Sequence, residues 1–327
     1  MDYIEIEKLT ELAKKENSAV QQLRDEIRKV IVGQDYLIDR IIIAFLCDGH
    51  ILLEGLPGLA KTLAVRAFAK TIDSDFARIQ FTPDLLPADI LGTQIYNPKT
   101  MEFSTKKGPI FSNIVLADEI NRAPAKVQSA LLEAMEERQV TIGDESFPFS
   151  VPFMVLATEN PIEQEGTYPL PEAQLDRFFM KCLVHYPTEE EEFQVLNRYS
   201  SISVDTIKPV ISSAELVKKR EFIQSIYIDE KLLRYIVSIV NFTRKPTNPD
   251  VARFLEFGAS PRASIALMKA SRCVAFINGR GFVTPEDIKE IGYDVLRHRI
   301  ILSYEAEAED VTNEDVCRMI FDSVEVP

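Results

Sequence analysis

The sequence is poor in the residues that build metal and redox centres. Its four cysteines, Cys47, Cys182, Cys273 and Cys317, lie far apart with no Cys-x-x-Cys pair, which excludes a zinc-ligand spacing and a redox dithiol. They are expected to be reduced and buried. The three histidines, His50, His185 and His298, are equally scattered, so a His-x-x-x-His metal pattern is absent. Long apolar runs are missing too. The longest, Ile41 to Cys47, falls far short of the roughly 20 residues that span a bilayer. The opening stretch MDYIEIEKLTELAKKEN has neither the basic n-region nor the apolar h-region of a signal peptide. A cytoplasmic protein without direct membrane insertion is expected. Positive charge is also short, with 37 Lys and Arg against 51 Asp and Glu and a net charge of -14. Such a balance repels a polyphosphate backbone unless basic residues are locally focused, so nucleic acid is a disfavoured partner.

What is present is an ordinary globular composition. Hydrophobic residues make up 46% and charged residues 27%, which excludes disordered and collagen-like classes. A length of 327 residues suits about two domains. From Ile4 to about Val30 apolar residues recur at helical spacing, and Val32-Gly33-Gln34 follows. The apolar segment Ile51-Leu52-Leu53 then runs into a glycine-containing loop and a helix over Lys61 to Lys70. Further buried strands are expected at Ala77 to Phe81, Ile114 to Ala117, Phe153 to Ala157 and Phe179 to Val184. Alternation with helices such as Ala125 to Glu137 predicts an α/β fold with a doubly wound parallel sheet.

After His185-Tyr186-Pro187 the helix signals multiply. Thr188-Glu189-Glu190-Glu191 is a capping box. Asp229 precedes the periodic set Leu232, Leu233, Ile236, Val237 and Val240, and Thr284-Pro285-Glu286-Asp287 pairs a cap with proline at the first helical position. One division is therefore expected, with a core over 1–186 and a helical domain over 187–327. The acidic patch Glu305 to Asp310 reads as solvated surface.

Two motifs carry chemistry. Gly55-Leu56-Pro57-Gly58-Leu59-Ala60-Lys61-Thr62 fits G-x-x-x-x-G-K-[ST] except that Ala60 replaces the second glycine. Gly55 and Gly58 would leave the loop backbone unobstructed so that its N–H groups face phosphate oxygens, and the following helix would point its positive end at them. The candidate nucleotide contacts are Gly55, Pro57, Gly58, Leu59, Ala60, Lys61, Thr62 and Leu63. Lys61 would reach the β- and γ-phosphates of ATP, and Thr62 would ligate Mg²⁺. Further on, Ile114-Val115-Leu116-Ala117-Asp118-Glu119 sets two carboxylates at the end of an apolar strand, the edge where parallel sheets bind ligands. Asp118 would hold Mg²⁺ through water, and Glu119 would take a proton from the attacking water.

These residues resemble the AAA+ ATPases, and more narrowly the MoxR family of the helix-2-insert group. The resemblance covers nearly the whole chain and rests on Asp118-Glu119-Ile120-Asn121-Arg122-Ala123, Gln128 to Met135, Ala157-Thr158-Glu159-Asn160-Pro161, Leu175-Asp176-Arg177-Phe178 and Gly258-Ala259-Ser260-Pro261-Arg262. It implies a P-loop core with a C-terminal helical lid, assembled as a ring, commonly a hexamer, with ATP between subunits. It also implies sensor 1 at Asn160, an amide able to orient water, and an arginine finger at Arg177 acting on the neighbouring subunit. A salt bridge of Arg177 with Asp176 or Glu172 is the plainer reading. Arg262 resembles sensor 2. Read without the family, Ser260 as N-cap and Pro261 as first residue put this cation in a first helical turn, where an anion is needed nearby. Val32 and Gly33 resemble the segment lining the adenine pocket, and a helix-ending turn equally accounts for the glycine.

Pro83 to Phe111 matches the family's helix-2 insert, and Gln139 to Pro152 reads as a hairpin. Lys106, Lys107, Phe103 and Phe111 are too few for a nucleic-acid surface. The resemblance implies a Mg²⁺-dependent ATPase that remodels or matures a protein partner, and it points to a protein with a von Willebrand factor A domain. A helicase-type nucleic-acid motor and a chelatase-type motor subunit stand as rivals.

Overall fold

The computed structural model describes residues 3–162, 166–198 and 203–327. Contacts divide them into two compact units. One comprises Gln22–Arg177 and Cys182–Val217; the other comprises residues 3–21, Phe178–Lys181 and Lys218–Pro327. The division is thus interleaved along the chain, whereas the sequence suggested one cut after Tyr186.

A five-stranded sheet has the order Phe76–Gln80, Ile114–Asp118, Met154–Glu159, Ile51–Glu54, Met180–Leu183, and its first four strands belong to the first unit. Three of the neighbouring pairs, 76–80 with 114–118, 114–118 with 154–159, and 154–159 with 51–54, run parallel. The three central strands, Ile114–Asp118, Met154–Glu159 and Ile51–Glu54, read as largely apolar runs because both faces of the sheet are covered there: Ile51, Leu52, Leu53, Val115, Leu116, Val155 and Leu156 are all buried. The helix Lys61–Thr71 buries Ala64, Val65, Ala67 and Phe68. The helix Ala125–Glu137 buries Val127, Leu131, Leu132 and Met135, one apolar stripe. Each expected strand is found, displaced by about a residue at its ends, where capping and ladder geometry rather than hydrophobicity decide.

Within the expected insert, a short helix Pro87–Leu91 leads into an antiparallel hairpin, Gly92–Asn97 with Glu102–Lys107. A second hairpin pairs Gln139–Ile142 with Glu145–Pro148, turning at Gly143 with φ 65°. The capping box at Thr188 is made reciprocally: its amide donates to Glu191 Oε2 at 2.8 Å, and the Glu191 amide to Thr188 Oγ1 at 3.3 Å.

The second unit is mainly helical, with helices Glu230–Arg244, Pro261–Ile277, Pro285–Leu296 and Asn313–Ser323. Asp229 caps the first through the Lys231 amide at 2.9 Å. That helix buries Leu232, Tyr235, Ile236, Ile239 and Val240, whereas Val237, expected in the apolar set, is 58% exposed. Tyr235 and Ile239 complete the stripe in its place. Thr284 is the expected cap with Pro285 at the first helical position, and Asp287 completes a capping box with it. The N-terminal helix joins this unit through Asn17, whose side-chain amide donates to the Ile277 carbonyl at 2.7 Å. All four cysteines are buried and none is in a disulfide, and burial pushes the Cys317 thiol up.

Candidate nucleotide site

Parallel strands deliver their carboxyl ends to one edge of a sheet, and here three consecutive neighbours do so with chemistry attached. The loop after Ile51–Glu54, the acids closing Ile114–Asp118 and the residues closing Met154–Glu159 line one cavity of about 370 Å³. Its walls include Pro57 to Leu63, Asp118, Glu119 and Asn160. Ten of the proposed contact and catalytic residues of the sequence reading, Pro57 to Leu63 with Asp118, Glu119 and Asn160, line this cavity.

Gly58 has φ +85°, with open space where a Cβ would stand. Its glycine is therefore required by backbone conformation, in a loop whose N–H groups border the cavity. Ala60, standing where the pattern has glycine, has φ 57° and immediately precedes the helix Lys61–Thr71. A left-handed alanine is strained by about 1–2 kcal/mol. Gly55 differs from the expectation: it does not line the cavity. A Cβ there would come within 2.8 Å of the Val184 carbonyl, so this glycine permits close packing beside the next segment. Its carbonyl accepts a hydrogen bond from the Lys61 ammonium. A second Lys61 bond reaches the Glu159 carbonyl at 3.4 Å. Burial lowers the Lys61 pKa, opposed by Asp118, Glu119 and Glu54.

The two acids are held from opposite sides. Thr158 Oγ1 donates to Asp118 Oδ1 at 2.7 Å and accepts the Glu119 amide at 2.8 Å. Arg78 donates to Asp118 Oδ2 through Nε at 2.9 Å and Nη2 at 2.6 Å. The same Nη2 reaches Gln80 Oε1 at 2.8 Å, and Gln80 Nε2 reaches Glu119 Oε2 at 2.8 Å. Arg122 Nε lies 3.3 Å from that Glu119 oxygen. Glu119 itself has φ 57°, backbone strain of the kind that accumulates at functional sites. Asn160 is buried, with its side-chain oxygen accepting the Ile162 amide at 3.3 Å. Arg78, Gln80 and Thr158 were not singled out from sequence. The polar alternation Arg78-Ile79-Gln80 in an otherwise apolar strand was the available signal.

The remaining candidates lie elsewhere. Arg177 does not line the cavity, and its Nε sits 3.0 Å from Glu136 Oε2. An ion pair is present, as the plainer reading foresaw, but its partner is Glu136 rather than Asp176 or Glu172. Val32 and Gly33 are also outside the cavity lining. Gly33 has φ +66°, and a Cβ there would come within 2.6 Å of the Glu191 side chain, while Gln34 Nε2 donates to the His185 carbonyl at 2.9 Å. The left-handed turn favours this glycine, while the flexible Glu191 side chain could shift from a Cβ placed there. Arg262 belongs to the helical unit, in the first turn of Pro261–Ile277, with its amide on Ser260 Oγ at 3.1 Å. Lys107 sits over the rings of Phe111 and Phe147 at 4.8 and 5.1 Å, while Phe103 pairs with Tyr96.

Residues 50–180 match the ATPase family associated with various cellular activities (AAA), and residues 249–320 match the AAA lid domain. The chain is 48% identical to the chaperone MoxR1 of Mycobacterium tuberculosis over 92% of this chain and 81% of that one. It belongs to the MoxR family of AAA+ ATPases. This MoxR-family protein is also 47% identical to YeaC of Bacillus subtilis over 93% of each chain. A crystal structure from Cytophaga hutchinsonii superposes with a TM-score of 0.90 at 49% identity, covering 99% of both chains. The α/β core with helical lid is the AAA+ fold, and this MoxR-family chain is an ATP-hydrolysing enzyme. Among the described residues no helix is long and apolar enough to cross a membrane.

Proposed function

We propose that the chain hydrolyses ATP with Mg²⁺ in a ring, commonly a hexamer, and uses the cycle to remodel or mature a protein partner. The observation that carries this reading is the gathering of Lys61, Thr62, Asp118, Glu119 and Asn160 around one cavity. Lys61 would hold the β- and γ-phosphates, with the loop amides supporting them. The Thr62 hydroxyl and Asp118 carboxylate are hard oxygen donors suited to Mg²⁺, which would offset phosphate charge when bound. No cluster of three or more His, Cys, Asp and Glu able to hold a metal occurs among the described residues, and a cation carried in with the phosphates needs none.

Glu119 would accept the proton of the attacking water, with Gln80 and Arg122 on its Oε2 fixing which oxygen remains to act. Asn160 would orient that water. Arg177 would act on the site of the adjacent subunit, exchanging Glu136 for the developing charge of the transferred phosphoryl group. Arg262 is the candidate sensor of the γ-phosphate from the lid. The named chaperone relative supports a protein substrate, and a protein bearing a von Willebrand factor A domain is the partner we favour. The net charge of -14 argues against nucleic acid as that partner. Phosphate release by wild type and Glu119→Gln tests the chemistry: ATP-dependent turnover in the first and retained ATP binding without turnover in the second support it, and equal turnover refutes it.

A further inference from the structure

Three consecutive residues of the helical unit, Arg297, His298 and Arg299, are all buried. Burying two guanidinium groups and an imidazole is costly unless each finds partners, and theirs lie in one short segment. Arg299 Nη2 donates to the Phe178 carbonyl at 2.6 Å, and Arg299 Nη1 to the Phe179 carbonyl at 3.1 Å. His298 Nε2 lies 3.2 Å from the same Phe178 carbonyl, and Arg297 Nη1 donates to the Lys181 carbonyl. Phe178–Lys181 belongs to the same compact unit as these residues. Burial lowers the His298 pKa well below its ordinary value, so the ring is neutral. Because Nε2 faces a carbonyl oxygen, it carries the proton, and Nδ1 is left without a hydrogen-bond partner.

The donors are themselves fixed. Arg297 is paired with Asp294 and Glu314. Asn313 Nδ2 donates to the Arg297 and Ile300 carbonyls at 2.9 and 3.0 Å. Arg299 Nη1 returns to the Val295 carbonyl in the last turn of the preceding helix, Pro285–Leu296. The clamp thus seizes the backbone at the residue immediately following Arg177. Phe178 and Phe179 precede the strand Met180–Leu183, so their carbonyls need donor partners from outside a strand. The Phe178 side chain is fully buried as well.

The geometry points to Arg299 and His298 as positioning residues for Arg177: by holding the Phe178 carbonyl of the adjoining residue they fix where the Arg177 side chain starts. This rests on the reading of Arg177 as a group that acts on the neighbouring subunit's ATP. The Arg177 guanidinium is then set at two points, by Glu136 along its side chain and by the clamp through its backbone. Lysine cannot replace Arg299, since one ammonium lacks the planar fork that spans the Phe178 and Phe179 carbonyls.

The test is Arg299→Lys. ATP affinity, read by titration with a fluorescent ATP analogue, stays at the wild-type value, because the residue's own phosphate loop is intact. Its kcat falls by roughly 10–100-fold, the scale of a displaced catalytic group. Mixed in equal amounts with Glu119→Gln, it regains activity, since some interfaces pair the intact Glu119 of the first with a properly held Arg177 of the second. Should Arg299→Lys fail to fold, His298→Leu and His298→Gln replace it, the glutamine keeping a donor toward Phe178 and retaining more turnover than the leucine. Wild-type kcat in Arg299→Lys, or a kcat defect that mixing does not relieve although Arg177→Ala is relieved by the same partner, overturns the clamp alone. Wild-type kcat in Arg177→Ala overturns the finger reading on which it rests.

Discussion

The Thr158 hydroxyl lies 2.7 Å from Asp118 Oδ1 while accepting the Glu119 amide at 2.8 Å, so one buried side chain fixes both acids of the site. Thr158→Val keeps shape but removes this bridge, leaving a carboxylate oxygen and an amide without their partner. The expected cost is about 1–3 kcal/mol of stability, with kcat reduced. Thr158→Ser retains the hydroxyl and most of both. Thermal unfolding and phosphate release check the pair.

Ala60 is strained by its φ of 57°, and glycine adopts that conformation freely. Ala60→Gly is expected to be neutral or to stabilise the protein by up to about 1 kcal/mol, because relief of strain exceeds the added entropy of the unfolded chain. Nucleotide affinity is retained, since the loop already has the left-handed turn. A fall in melting temperature of several degrees contradicts this account of the loop.

Lys61→Ala is expected to abolish ATP binding, as no other cation among the cavity-lining residues of the loop replaces its charge. The pH dependence has a definite sign. Burial lowers the Lys61 pKa from the ordinary 10.5, so the ammonium is lost earlier on the alkaline side. ATP affinity therefore declines as pH rises through that lowered value, below the range of an ordinary lysine. Titrations of wild type across alkaline pH measure it.

How much of this was legible in the sequence follows the distance between interacting residues. The phosphate loop and the acid pair are contiguous motifs, and the helix Ala125–Glu137 ends where its apolar stripe ends. Arg78, Gln80 and Thr158 were hidden because their contacts follow strand register. Gln80 stands opposite Asp118, and Ala117 opposite Ala157, across parallel neighbours about forty residues apart. No local pattern encodes that alignment. The clamp on Phe178 joins residues separated by 120 positions, which periodicity could not bring together. Val237 looked buried by spacing alone and is exposed because Tyr235 and Ile239 fill the core side.

Nucleic acid offers a separate check. With a net charge of -14, neither single- nor double-stranded DNA is expected to bind below micromolar concentration at about 150 mM salt, nor to stimulate ATP turnover. Submicromolar binding under those conditions favours the helicase-type motor instead.

The central claim is that each ATP site is completed by the adjacent subunit, with Glu119 acting in its own subunit and Arg177 in the next. Phosphate release from an equal mixture of Glu119→Gln and Arg177→Ala proteins tests it most directly. Each is expected to be inactive alone, while some interfaces in the mixture join an intact Glu119 to an intact Arg177. Activity should therefore return at a fraction of wild type and rise with protein concentration. Normal hydrolysis by Arg177→Ala alone, or a mixture as inactive as its parts under conditions where wild type assembles and turns over, contradicts the shared site and leaves Arg177 as the ion-pair partner of Glu136.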